Sequence, residues 1–128
     1  MTSSPNTLAA SSTGLRRWLR IEGAAIALAA GVIYAQSGAG WGVFALCFLL
    51  PDVAMLGYVA GPRYGALCYN MAHSYTAPLI FFAASGALGQ PWALAAASLW
   101  VAHIGLDRAI GYGLKYSHAF KATHLDAI

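Results

Sequence analysis

Charge is what this sequence has least of. Only 9% of its 128 residues are Asp, Glu, Lys or Arg, where a soluble domain carries about a quarter. Four residues are acidic, namely Glu22, Asp52, Asp107 and Asp126. So few charges cannot cover a surface that faces water on every side, which argues against a soluble globular enzyme. Cysteine is scarce too. Cys47 and Cys68 sit near opposite ends of two consecutive apolar runs. Antiparallel packing would set them roughly 15 Å apart in depth at ~1.5 Å per residue. A disulfide needs Cα atoms within about 7 Å, so both are expected as buried free thiols. Also missing are a linker, a second compositional zone and any HExxH or clustered-histidine signature. One domain is expected, and no ready-made metalloprotease motif lies in it.

What remains is apolar. Hydrophobic residues make up 59% of the chain and the mean hydropathy is +0.61, a composition that suits lipid as the main solvent. Residues 1–14 are small, polar and aperiodic and read as a disordered tail. Apolar runs follow at about 18–35, 41–60, 64–87 and 92–112, separated by short turns at Gln36–Gly40, Gly61–Arg63 and Leu88–Pro91. Turns this short force neighbouring helices to run antiparallel. The expected fold is therefore all-α, a four-helix transmembrane up-and-down bundle over 15–116. Residues 117–128 are expected to form a cytoplasmic interfacial tail. Arg16 and Arg17 ahead of an apolar stretch resemble an export signal, but Glu22 interrupts the run and three more spans follow. Gly23, Ala27, Gly31 and Ala35 recur every fourth residue, a ridge that lets another helix approach closely.

The cations settle orientation. Arg16, Arg17 and Arg20 precede the first span, Arg63 lies between the second and third, and Arg108, Lys115 and Lys121 end or follow the fourth. The other two turns carry none, so the positive-inside rule places both termini in the cytoplasm of a bacterial inner membrane. Trp41 and Trp92 mark the outer interface; Trp18 and Tyr64 mark the inner one. The net charge of +3 is thus a topology signal, and the expected partner is the lipid bilayer rather than nucleic acid.

Polar groups inside the spans are the candidate functional residues, because a charge at the bilayer centre costs at least ~2.5–3.5 kcal/mol. Asp52 and His103 each lie eleven residues from the outer tryptophan of their span, roughly 16 Å deep at ~1.5 Å per residue. His73 reaches similar depth from the other side. Asn70, Asp107 and Glu22 lie closer to the cytoplasm. His103 and Asp107, four residues apart, share one helical face, and Asn70 and His73, three apart, share another. A ligand or proton site of Asp52, Asn70, His73, His103 and Asp107 is expected, with Glu22, Arg63 and Arg108 as secondary members. Three readings of it stay open. It handles protons or a small molecule; or Asp52, His73, His103 and Asp107 hold a metal, since imidazole and carboxylate suit Zn, Mn or non-haem iron. In the third reading the groups only pair structurally, Asp107 orienting His103 and meeting Arg63 or Arg108. Pro51 removes a backbone donor and should kink span two beside Asp52. Tyr58, Tyr64, Tyr69 and Tyr75 read as packing or interfacial aromatics, and Glu22 as an ion-pair partner of Arg20 or Arg108. His118 and His124 are weak metal-ligand candidates. No cofactor is specified, and transport through four spans would call for a homo-oligomer.

The blocks RIEG, LLPDVAMLGY, GPRYGALCYNMAHSY, AHIGLDRAIGYGLKY and FKATHL together resemble the bacterial membrane-protein family called domain of unknown function 4260, over roughly Leu15 to Leu125. The resemblance implies a four-span membrane protein with characteristic polar residues at Glu22, Asp52, Arg63, Asn70, His73, His103, Asp107, Arg108, Lys115 and His124. It implies no activity.

Overall fold

The computed structural model describes residues 4–115 together with Thr123 and Leu125, and at 8–10 the backbone alone. Five α-helices form, α1 (Pro5–Gln36), α2 (Trp41–Cys47), α3 (Pro62–His73), α4 (Thr76–Leu88) and α5 (Pro91–Ile110), with a 3-10 helix at Leu50–Ala60. Three segments are long and apolar enough to cross a membrane: Pro5–Gln36, Trp41–Ala60 and Pro91–Ile110. The fourth expected crossing, 64–87, is not one continuous helix.

The first helix starts at Pro5, inside the stretch expected as a tail. Ser4 is its N-cap, with its hydroxyl accepting from the Thr7 amide at 3.4 Å, and Pro5 takes the first helical position, where a missing N–H costs nothing. Farther along, α1 and α5 run antiparallel in close contact. A Cβ on Gly23 would strike the Gly105 carbonyl at 2.8 Å, and one on Gly105 would strike the Gly23 carbonyl at 2.7 Å. Backbone therefore meets backbone here. The small-residue ridge works at Gly23 and Ala27 but not at Gly31, where a Cβ would meet nothing within 4 Å. Tyr34, Ala95 and Leu99 close the opposite end of the same helix pair.

The second crossing changes pitch. Pro51 cannot donate to the Cys47 carbonyl, α2 stops at that residue, and the chain continues as an 11-residue 3-10 helix. With three residues per turn, Leu50, Val53, Leu56 and Val59 fall on one stripe, and all four are exposed. The other two stripes pack on α3, Gly57 against Cys68 and Tyr58 against Gly65. Both cysteines are free, as expected, but Cys68 is exposed rather than buried.

The apolar run expected at 64–87 breaks at Ser74–Tyr75. Ser74 turns extended and its hydroxyl accepts from the Thr76 amide at 3.2 Å, while Pro78 cannot donate back to Ser74. A broken helix inside an apolar medium must have its loose carbonyls met by side chains, and α5 supplies the donors. Trp100 Nε1 donates to Ala72 O at 2.6 Å and Arg108 Nη2 to His73 O at 2.8 Å.

Throughout, large apolar side chains such as Leu28, Leu46, Val59 and Ile80 point outward, while alanines dominate the buried set. That inversion is what lipid solvation and close helix packing require. After α5 the chain returns to the bundle: Lys115 pairs with Thr123 in an antiparallel bridge, and Lys115, Thr123 and Leu125 are buried. Apart from Thr123 and Leu125, the expected interfacial tail at 117–128 lies outside the described residues.

Candidate functional site

Four of the expected residues converge. Asp52 comes from the 3-10 helix, His73 from the last turn of α3, and His103 and Asp107 from one face of α5. One ligating atom of each lies within 4.8 Å of all the others. His73 Nε2 is 3.0 Å from Asp52 Oδ1, 3.2 Å from His103 Nε2 and 3.5 Å from Asp107 Oδ2. His103 Nε2 is 3.3 Å from each carboxylate oxygen. Both imidazoles are fully buried, whereas the Asp107 and Asp52 side chains keep 16% and 32% of their exposure. Access to the site is therefore from the Asp52 side.

The helix break sets the orientation of His73. Its Nδ1 lies 3.0 Å from the Tyr69 carbonyl, one turn back on α3. That carbonyl can only accept, so Nδ1 carries a proton, and the neutral ring presents its Nε2 lone pair to the cluster. His103 Nδ1 is buried, and the Phe48 ring packs on its imidazole with centroids 5.0 Å apart. Each imidazole Nε2 thus faces both carboxylates across 3.0–3.5 Å, and the two carboxylates lie within 4.8 Å of one another. Acceptors meeting acceptors repel unless a cation sits between them, a metal ion or additional protons. A tetrahedral ion with bonds of about 2.0–2.1 Å would place its ligand atoms about 3.3 Å apart; five of the six separations in the cluster, 3.0–3.5 Å, bracket that length.

The other expected members lie elsewhere. Asn70 clamps the C-terminal segment, its amide donating to Lys115 O at 2.8 Å and its carbonyl accepting from Lys115 N at 2.7 Å. Arg108 is buried, and its guanidinium donates to the backbone carbonyls of His73 and Tyr112. Arg63 is exposed on the first turn of α3, where it lines a surface hollow with Tyr64, Asn70 and Lys115. Glu22 is exposed on α1, outside the cluster. Arg20 donates to Ala109 O at 2.7 Å. His118 and His124 lie outside the described residues.

Two supporting residues were not anticipated. Tyr69 stacks face to face on His73, and Trp100 holds the broken end of α3. The signal for Tyr69 was its position four residues before His73; nothing in the sequence marks Trp100.

A family model described as Domain of unknown function (DUF4260) matches residues 16–128. No curated protein and no solved structure matches the chain.

Proposed function

Because the chain belongs to the DUF4260 family, whose description names no reaction, we propose a function from the site itself: a multi-pass inner-membrane protein that binds a divalent metal ion, of the size and ligand preference of Zn2+, at Asp52, His73, His103 and Asp107. The membrane crosses the bundle at α1, at Trp41–Ala60, at the broken pair α3–α4 and at α5, with both termini cytoplasmic. The lysine and arginine distribution supports that orientation.

The observation that carries the metal is the set of five separations of 3.0–3.5 Å that link His73 Nε2 and His103 Nε2 to each other and to the two carboxylates, with His73 Nδ1 turned away to the Tyr69 carbonyl. Two carboxylates neutralise a divalent ion, which removes the penalty of burying either charge alone. A metal held there would supply Lewis-acid polarisation only to an oxygen that took the place of one of the four donors, and Asp52 is the most exposed of them. Tyr69 and Phe48 hold the two imidazoles from behind.

The proton-handling reading draws on the 3.0 Å His73–Asp52 contact, which a shared proton would also satisfy. Elemental analysis of detergent-purified protein separates the two. About one metal per chain is expected, lost in His103→Ala and Asp107→Asn and kept in Asn70→Ala. Protein that folds without stoichiometric metal, under every divalent ion supplied, would end the metal reading. The proton site would then predict that Asp52→Asn shifts the titration of His103.

A further inference from the structure

A cavity of about 650 Å³ lies between the α1–α2 turn, the 3-10 helix and α5, lined by chain neighbours of the cluster residues but by none of the four themselves. It sits within the usual size range of ligand pockets. Its inner end is formed by Pro51, Ala72 and Leu99. Pro51 and Ala72 directly precede Asp52 and His73, and Leu99 stands one helical turn before His103. The outer end is formed by Ser37, Ala39 and Trp92, at the helix ends. From Trp92 to Leu99 the wall runs ~10 Å along α5 at ~1.5 Å per residue.

The wall has almost nothing to offer a polar ligand. Tyr34 Oη donates to Gly40 O at 2.7 Å and Ser37 Oγ to Tyr34 O at 2.6 Å. Trp100 Nε1 donates to Ala72 O, and Trp92 Nε1 to Gln90 Oε1 at 3.2 Å. With the wall's donors engaged inside the protein, the remaining surface is hydrocarbon, apart from the weak donor of the Cys47 thiol. Val43, Leu50 and Trp92 on its rim are exposed, so on the topology proposed above the mouth faces lipid.

We infer that this cavity takes one hydrocarbon chain of a membrane lipid, held with its head near Ser37 and Trp92 and its mid-chain carbons beside the Asp52–His73–His103–Asp107 site. The inference rests on the proposed metal site only for what the chain is presented to. A dry wall selects for an apolar chain by excluding water, and a volume of about 650 Å³ suits one chain rather than a diacyl body. Substrate for the site then arrives sideways from the bilayer, without passing through water.

Stearic acids spin-labelled near the head, at mid-chain and near the tail would be added to protein in micelles, loaded either with Mn2+ or with Zn2+. An immobilised spin-label signal is expected, with Mn2+ broadening the mid-chain label most. Ala96→Phe and Ala54→Phe, both on the wall, should each abolish immobilisation at least tenfold while metal content stays unchanged. Immobilisation that survives both substitutions would overturn the inference, as would its absence from metal-loaded wild-type protein. Broadening greatest at the head or tail label would overturn the proposed orientation. Failure of the metal reading registers separately: the chain would be immobilised and sensitive to Ala96→Phe, but no metal would be retained.

Discussion

The ring of Tyr69 lies flat on that of His73, with centroids 3.8 Å apart and planes 7° from parallel. The Lys115 ammonium covers the tyrosine ring, 4.6 Å from its centroid. One residue thus fixes the histidine twice, through its ring and through the carbonyl that receives Nδ1. Partners that orient a metal-binding imidazole commonly carry about 10–100-fold in affinity. Tyr69→Ala keeps the carbonyl but loses the stack, so metal affinity should fall about 10-fold. Tyr69→Phe should stay within a factor of about two, since the ring stack persists. Chelator competition on the two variants checks this; equal loss in both would mean the hydroxyl, not the ring, matters.

Acid should empty the site. Bound imidazoles must be neutral and bound carboxylates ionised, so protons compete with metal for all four donors. Affinity should hold near pH 8 and decline as pH falls through the ordinary histidine range, about 6.5. Metal retained per chain after dialysis at stepped pH gives the curve. A flat profile from pH 8 to 5 would place the metal on other groups.

Leucine scanning on α1 should distinguish two glycines that look alike in sequence. Gly23→Leu forces α1 from α5, because a Cβ there already meets the Gly105 carbonyl at 2.8 Å. A loss of ~1–3 kcal/mol or more is expected from such overpacking. Gly31→Leu projects into open space and should stay within about 0.5 kcal/mol. Thermal unfolding in one detergent measures both, and reversed sensitivities would mean the helix is rotated.

Topology is open to reporter fusions. Fusions after Ser37 and Gly89 should report the outer side, and fusions after Arg63 and Ile128 the cytoplasm. A cytoplasmic signal at Gly89 would mean that the broken α3–α4 pair re-enters rather than crosses, which its 12- and 13-residue helices make a real alternative.

Much of this was legible because hydrophobic length and charge placement are local properties of the chain. The apolar runs, the turns at Gly61 and Gly89, and the family all follow from them. The meeting of Asp52, His73, His103 and Asp107 was also readable, since buried charges in lipid seek one another. Asn70 was misplaced because an amide three residues from a histidine shares its face without having to share its depth. The break after His73 was written as Ser74 followed by Pro78, a helix-start signal hidden inside a run whose hydropathy never drops. Arg108 was given a carboxylate partner because charge is visible in sequence; of the carbonyls it meets, that of His73 is freed only where α3 breaks and that of Tyr112 where α5 ends.

The period-three stripe of Leu50, Val53, Leu56 and Val59 sets a depth gauge. From the turn at Gly61, Asp52 lies nine residues back and His73 twelve residues on. Two equal α-helices would leave them at unequal depth, the carboxylate at ~13–14 Å and the imidazole at ~18 Å. A 3-10 helix climbs ~2.0 Å per residue, and nine such steps also reach ~18 Å. The stretched helix is what brings Asp52 level with its partner. If the segment relaxed to α, every side chain of the site would still be present, and the carboxylate would hang ~4–5 Å short of His73.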